Sequence, residues 1–260
     1  MSEEEEHIHT VRRAWDAYHP DYMQFHLKER PDFHEYYANG GVTLDDYVIE
    51  TAGDVRGLRL LDVCCACDAS QAFSWANLGA KVAACDLSPV AIEIAGQNAE
   101  KIGVDITLQV ADAQTLTPIR DSAFDLVFAT YLCWFEDIFL ACRNWFRVLR
   151  PEGRLLVHSH HPVTYCLEEK QGILQVAHRY ARTGPLYYNF TGTDLADRHG
   201  GWGKSMPCVE FHHTLADVLN AVIEAGFALE RFQEVCADDE SCVRSQLPAW
   251  IVVLARKPRQ

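Results

Sequence analysis

No run of apolar residues in this chain reaches the roughly 18 positions that a membrane-spanning helix needs. Basic residues are scarce: 23 Lys and Arg stand against 37 Asp and Glu, for a net charge of −14. That balance repels phosphate and argues against nucleic acid or an anionic membrane as partner. The opening MSEEEEHIH has no signal-peptide character, being acidic where a signal is basic and then apolar. There is no internal repeat and no low-complexity tract beyond this start. These absences predict a cytoplasmic chain whose partner is a small molecule.

Glycine is missing from one turn where it is expected. Residues 58–86, LRLLDVCCACDASQAFSWANLGAKVAACD, run from an apolar strand through a sharp turn and a helical segment into a second strand ending in Asp86. That is half of a doubly wound α/β sheet, with a ligand crevice expected at the carboxyl ends of its strands. A ligand-binding turn of this kind is normally glycine-rich, yet here it reads Cys64-Cys65-Ala66-Cys67-Asp68-Ala69.

Ten cysteines are many for a cytosolic chain. Cys64, Cys85 and Cys133 fall inside predicted strands or helices, where small packed thiols belong, so no secreted disulfide framework is expected. Cys64 and Cys67 form a CxxC string with no second CxxC or His pair at zinc-site spacing, and no metal is expected.

The spacing predicts strands at 58–64, 81–85, 105–110, 124–130 and 154–159, with helices at 70–78, 89–102 and 137–149 between them. Ser88-Pro89 is a strong helix start, a hydroxyl N-cap followed by proline. Strands alternating with helices in this way predict right-handed crossovers and a largely parallel sheet. A helix at 215–225 and strands at 227–235 and 250–255 follow, with a turn at Asp238-Asp239. Residues 1–10 are expected to be a disordered acidic tail, and 11–260 one domain. Within it, 11–57 forms an N-terminal helical cap: short helices broken by Pro20 and Pro31, then a helix at 42–52. Residues 162–213 are rich in aromatics such as Tyr165, Tyr187, Phe190 and Trp202, and are too long for an ordinary loop. They read as an insertion, and whether it is a lid or a surface for a protein partner or second copy stays open.

The ordered set LLDV, AACDLSPVAIEIA, VADAQTL, FDLVFATY and RVLRPEGRLLV resembles class I S-adenosylmethionine-dependent methyltransferases over residues 58–160, with weaker support at 214–256. The resemblance implies a Rossmann-like α/β fold: a doubly wound, seven-stranded, mostly parallel sheet with an antiparallel last strand. It implies S-adenosylmethionine as cofactor and a small metabolite as substrate, with natural-product assembly as the setting. Asp62 matches the acid near the cofactor's amino group, and Asp86 the acid facing both ribose hydroxyls. Asp112 matches the acid that meets the adenine amine, with the Ala113 amide facing the ring and Leu87 packing on it. The family's glycine places fall on Cys64, Ala66 and Asp68, or on Cys65, Cys67 and Ala69 if the turn carries an extra residue. A Cβ there costs on the order of 1 kcal/mol. Trp15, Tyr18 and His19 are similar to residues that fold over the cofactor, and Tyr131 and Trp134 lie where the substrate pocket begins.

A proton-bearing nucleophile needs a base. His158, His160 and His161 surround the end of the fifth strand, while His212 and His213 close the insertion. His161 is the first expectation for the base and His213 the second. Two other functions stay open: an enzyme of the same fold catalysing an elimination or ring closure, which the altered turn favours, and a non-catalytic partner-binding scaffold.

Overall fold

The computed structural model describes residues 2–171, 173–181, 184–237 and 243–259. Three helices precede the first strand: α1 (Glu3–Glu29), α2 (Phe33–Ala38) and α3 (Asp46–Ala52). The first corrects two expectations. Residues 3–10 are not a disordered tail but the opening of α1, where Ser2 and Glu5 form a reciprocal capping box. The Glu3–Glu6 run fills the first turn, where carboxylates are favoured by the helix dipole. His7 then buries itself against Glu136 and Tyr187, which fixes this end to the domain. Pro20 does not break the helix either. It sits exposed within α1, flanked by buried Tyr18, His19 and Met23. An interior proline costs about 3 kcal/mol, and burying several large side chains at about 1.5–3 kcal/mol each offsets it. The helix expected from residue 42 begins only at Asp46, because the Thr43 amide and hydroxyl bond to Ser74 instead.

The alternating part follows the predicted order: β1 (Arg59–Val63), α4 (Ser70–Asn77), β2 (Lys81–Asp86), α5 (Pro89–Ile102), β3 (Thr107–Val110), β4 (Phe124–Thr130), α6 (Ile138–Val148) and β5 (Leu149–His160). Ser88 caps α5 through a 3.0 Å bond from the Ala91 amide, with Pro89 at the first helical position. The insertion is more regular than its composition suggests. It holds the hairpin β6 (Leu167–Lys170) and β7 (Ile173–Val176), then strand β8 (Pro185–Phe190), helix α7 (Asp194–Arg198) and strand β9 (Met206–Phe211), which pairs with β8. Helix α8 (Leu215–Glu224) and strands β10 (Ala228–Cys236) and β11 (Pro248–Arg256) close the chain. The expected turn at Asp238-Asp239 lies outside the described residues.

Seven strands form one sheet in the order β10-β11-β5-β4-β1-β2-β3. Strand β11 runs antiparallel to both neighbours, and the pairs from β5 to β3 are parallel. One face packs on α6 and α8 around Trp145, Phe135 and Val222. The other packs on α2 to α5 around Trp75, Phe73 and Phe33. A third cluster lies off the sheet, where Tyr18 of α1 meets Phe190, Trp202 and Phe211 of the insertion. The strand order reverses between β1 and β4, and a crevice opens at their carboxyl ends. Among the described residues no helix is long and apolar enough to cross a membrane.

Candidate active site

The turn after β1 takes the shape that glycines would give it. Cys64, Ala66 and Ala69 adopt left-handed φ values of 64°, 55° and 48°. Cys64 and Ala66 thus follow the register without an extra residue, and Ala69 follows the register with one. Asp68 is not among the residues with positive φ; it is buried, and its Oδ2 accepts a bond from the Ser70 hydroxyl. The turn is braced from β2, because the Ala66 amide donates to Asp86 Oδ2 at 3.0 Å and the Cys65 amide to the Cys85 carbonyl. Cys64 and Cys67 are free thiols, and burial pushes both upward, so neither is a ready thiolate. Among the described residues no group of three or more His, Cys, Asp or Glu is placed to hold a metal ion.

Asp62 lies at the floor of the crevice, between Ala84 of β2 and Phe128 of β4. It is fully buried, and neither carboxylate oxygen has a hydrogen-bond partner. Burial first, then the carboxylates of Asp68 and Asp86, push its pKa well above the carboxylate range. An orphaned buried acid is costly, and an ammonium group delivered by a ligand would satisfy it. Asp86 stands at the tip of β2, its Oδ1 accepting the Ser88 amide at 2.9 Å, and burial raises its pKa to about 6. Past the end of β3, Asp112 accepts the Gln114 amide, while the Ala113 carbonyl takes the Trp145 indole at 3.0 Å. The three acids thus stand along three adjacent strands, as their sequence positions predict.

Helix α1 roofs this crevice. The Ser88 hydroxyl donates to Asp16, which fastens the helix beside Asp86. Trp15 meets Trp134 edge-on at 5.4 Å, and the half-buried Leu87 packs against the same aromatic group. Tyr18 is buried inside the roof with its hydroxyl on Thr193, so it holds the insertion in place. His19 is also buried, with Nδ1 unpartnered, and burial lowers its pKa to about 4. Tyr22 was not singled out by the sequence, yet it packs edge-on to Tyr18 between the roof and the sheet-side core. The Asp68 carboxylate, then burial, push its hydroxyl well above the ordinary tyrosine value. Its spacing of seven from Trp15 and four from Tyr18 is the helical signal that could have found it.

Tyr131 joins the crevice to a second recess. It exposes 40% of its surface, yet burial, then Asp68, raises its hydroxyl to about 12. Its backbone is strained at φ 53°, and its ring lies 6.3 Å from that of His160. His160 packs against Trp250 with ring centroids 4.3 Å apart and tilted by 42°, and burial lowers its pKa, which favours the neutral ring. His160, Cys133, Tyr165, His213 and Phe211 line the recess beyond. The Tyr165 hydroxyl has no partner there. His213 Nε2 bonds to the Phe135 carbonyl at 2.7 Å, an acceptor only, so Nε2 carries the proton and Nδ1 keeps a lone pair.

His161 lies outside this recess. Its Nδ1 accepts the Val163 amide at 3.0 Å and its Nε2 bonds Glu234 at 2.9 Å. Both nitrogens are engaged in turning the chain out of β5, and His160 occupies the position expected of His161. The physical reason is strand geometry: β5 continues to His160, paired with Trp250, and the chain leaves the sheet at the next residue.

A family model described as a methyltransferase domain matches residues 61–157. A crystal structure of an S-adenosylmethionine-dependent methyltransferase from Mesorhizobium loti is 26% identical, with a TM-score of 0.60, covering 81% of this chain and 95% of that one. The [4+2]-cyclase SpnF is 20% identical, with a TM-score of 0.56, covering 83% of this chain and 80% of its own, and shares the fold. An uncharacterised protein of Haemophilus influenzae is 25% identical over 197 residues, which are 72% of this chain and 74% of that protein. Residues 61–157 thus match a methyltransferase domain, in a chain similar over most of its length to an S-adenosylmethionine-dependent methyltransferase.

Proposed function

We propose that the chain is a cytoplasmic enzyme that methylates a small metabolite, in the setting of natural-product assembly. The observation that carries this reading is Asp62, a buried acid without a partner at the sheet's switch point. When bound, S-adenosylmethionine supplies a methyl group activated on a sulfonium. Asp62 binds its ammonium, Asp86 orients the ribose hydroxyls, and Asp112 with the Ala113 amide and Leu87 holds the adenine. The turn from Cys64 through Ala66 to Asp68 lines the methionyl end. Trp15 and Trp134 exclude water from above, and Tyr131 separates the cofactor from the acceptor.

The recess itself, at about 10 Å³, has room for about one water molecule, so the acceptor sits at its mouth beside Tyr131 and presents a hydroxyl, amine or carbon nucleophile there. His160, kept neutral by burial, takes the acceptor's proton, and His213 Nδ1 is the second base within the same recess. His161 orients the end of β5. The 162–213 segment acts as a lid, since its aromatics pack on α1.

Thermal-shift titration tests this reading. Cofactor at 100 times its dissociation constant should stabilise the fold by about 2.7 kcal/mol, and no shift at millimolar cofactor overturns it. A second reading, an elimination or ring closure on the same fold, is favoured by the non-glycine turn. It gains if the cofactor binds and no methylated product forms with any class of acceptor.

A further inference from the structure

Tyr165 carries a hydroxyl that the fold itself leaves unused. The residue is half-buried, yet its hydroxyl oxygen is fully buried and has no hydrogen-bond partner. The ring is held in place. It stacks on His212 at 4.3 Å with 16° between the planes, and it meets the ring of His160 at 6.2 Å. His212 is fixed in turn, since its Nε2 donates to Glu210 at 2.8 Å. The Cys133 thiol adjoins the hydroxyl, but sulfur is a weak acceptor and does not satisfy it. A buried hydroxyl left unpaired costs free energy, which a ligand atom would recover.

Tyr165, Cys133, His160 and His213 line one recess, which has room for about one water molecule. Among the described residues that line it, none is Lys, Arg, Asp or Glu. Tyr165 brings a proton donor to this space. His213 brings an acceptor, because its Nε2 proton is committed to the Phe135 carbonyl at 2.7 Å. His160 lies between the rings of Trp250 and Tyr165, and when neutral it keeps one nitrogen lone pair. Ser159 is spent on its own chain, where its Oγ accepts the Leu132 amide at 3.1 Å.

A hydroxyl is the group that suits a donor and a neutral imidazole together. It has one proton to give and two lone pairs, one to accept the Tyr165 hydrogen and one to attack. A neutral amine has a single lone pair, which Tyr165 would occupy. An ammonium would find no carboxylate on the lining, and a carbon nucleophile would leave Tyr165 unpaired.

We propose that the acceptor is a hydroxyl compound and that Tyr165 selects it by donating to the nucleophilic oxygen. This rests on the methyltransferase reading above. In the transfer the free lone pair forms the new O–CH3 bond, the electrons of the broken S–CH3 bond stay on sulfur, and the hydroxyl proton passes to His160. Water takes the place of the acceptor's hydroxyl in the ligand-free protein.

High-resolution crystallography of the ligand-free protein and of Tyr165→Phe tests this, with water as the probe. An oxygen atom should lie about 3 Å from the Tyr165 hydroxyl and from a ring nitrogen of His160 or His213. It should be lost in Tyr165→Phe, which keeps the ring and its stack on His212. A recess with no oxygen bonded to Tyr165, or an oxygen that stays unchanged in the variant, overturns the inference. Methyl transfer from S-adenosylmethionine to 2-naphthol and 2-naphthylamine, which share one skeleton, gives a second readout by mass spectrometry. The oxygen product should form at least about tenfold faster, as in a site built to hydrogen-bond a hydroxyl, and Tyr165→Phe should erase that preference. Faster transfer to nitrogen overturns the inference and leaves the methyltransferase reading intact. Failure to bind the cofactor in the thermal-shift titration removes that reading, and the acceptor assignment with it.

Discussion

The hydroxyl of Ser88 is shared between two helices: it caps α5 by accepting the Ala91 amide, and it donates to Asp16 of α1. One side chain thus both starts the helix behind β2 and fastens the roof over the crevice. Asp86 accepts the amide of the same residue. Roof, helix and ribose corner meet at a single position, so changes there reach the ligand without touching it.

Replacing Asp16 by Ala should loosen the roof while leaving the α5 cap in place. Loss of one hydrogen bond to a charged group costs about 1.5–3 kcal/mol. Hydrogen exchange of α1 amides should quicken, with the sheet amides unchanged. Replacing Ser88 by Ala should add the loss of a cap, about 1 kcal/mol more. Equal protection of α1 in Asp16→Ala would show that the bond does not hold the roof.

Asp62→Asn should stabilise the ligand-free protein and abolish cofactor binding together. Asp62 holds its proton more tightly folded than unfolded, because burial and two neighbouring carboxylates raise its pKa. Its contribution to stability is therefore present at low pH and is lost as pH rises from the unfolded value toward the folded one. At pH 8 the neutral amide should gain at least about 1 kcal/mol over the acid. A melt at pH 8 that falls in the variant would contradict this.

Cofactor affinity should rise with pH below neutrality. Burial raises Asp86 to about 6, so at pH 5 most of it is protonated and offers fewer acceptor sites to the ribose. Between pH 5 and 7 the dissociation constant should fall by up to about tenfold. Asp62 should lose its proton on meeting the ammonium, so calorimetry in buffers of different ionisation enthalpy should detect proton release. A flat affinity profile over that range, without proton release, sinks the prediction.

His160→Gln and His161→Gln should separate chemistry from support. The first should slow turnover about 100-fold or more with cofactor affinity kept, as expected for loss of a general base. The second should lower stability by about 1–3 kcal/mol through the unpaired Glu234 and Val163 groups, with turnover of the folded fraction retained. The opposite pattern would restore His161 as the base.

Ala66→Gly and Ala69→Gly should each be neutral to stabilising, by up to about 1 kcal/mol, although both sites are alanine. Both hold left-handed φ values that cost a Cβ strain. Chemical denaturation would show it, and a loss of more than about 1 kcal/mol would mean that the methyl groups are needed for packing.

The sheet was legible because strands, caps and acids carry short-range signals. Ser88-Pro89 marks a helix start by itself, and Asp62, Asp86 and Asp112 each end or follow an apolar run. The turn was legible as an anomaly, and its conformation mixes the two registers that the sequence left open. Helix α1 was not legible past Pro20, since the compensation comes from Phe190, Thr193 and Trp202, far away in the chain. The regular hairpins of the insertion were hidden for the same reason. His160 and His161 could not be told apart without knowing where β5 ends, and one residue decides which of them faces the recess.

The third cluster also dictates an order of events during synthesis. Val11, Ala14 and Tyr18 bury themselves against residues of β8, α7 and β9. The N-terminal helix thus emerges from the ribosome with an apolar stripe whose partners do not yet exist. The sheet can assemble through local crossovers, but the roof waits for contacts of the longest sequence separation, which are the slowest to form. The crevice is therefore built open and sealed last, and while unsealed α1 is the segment that most needs protection from aggregation.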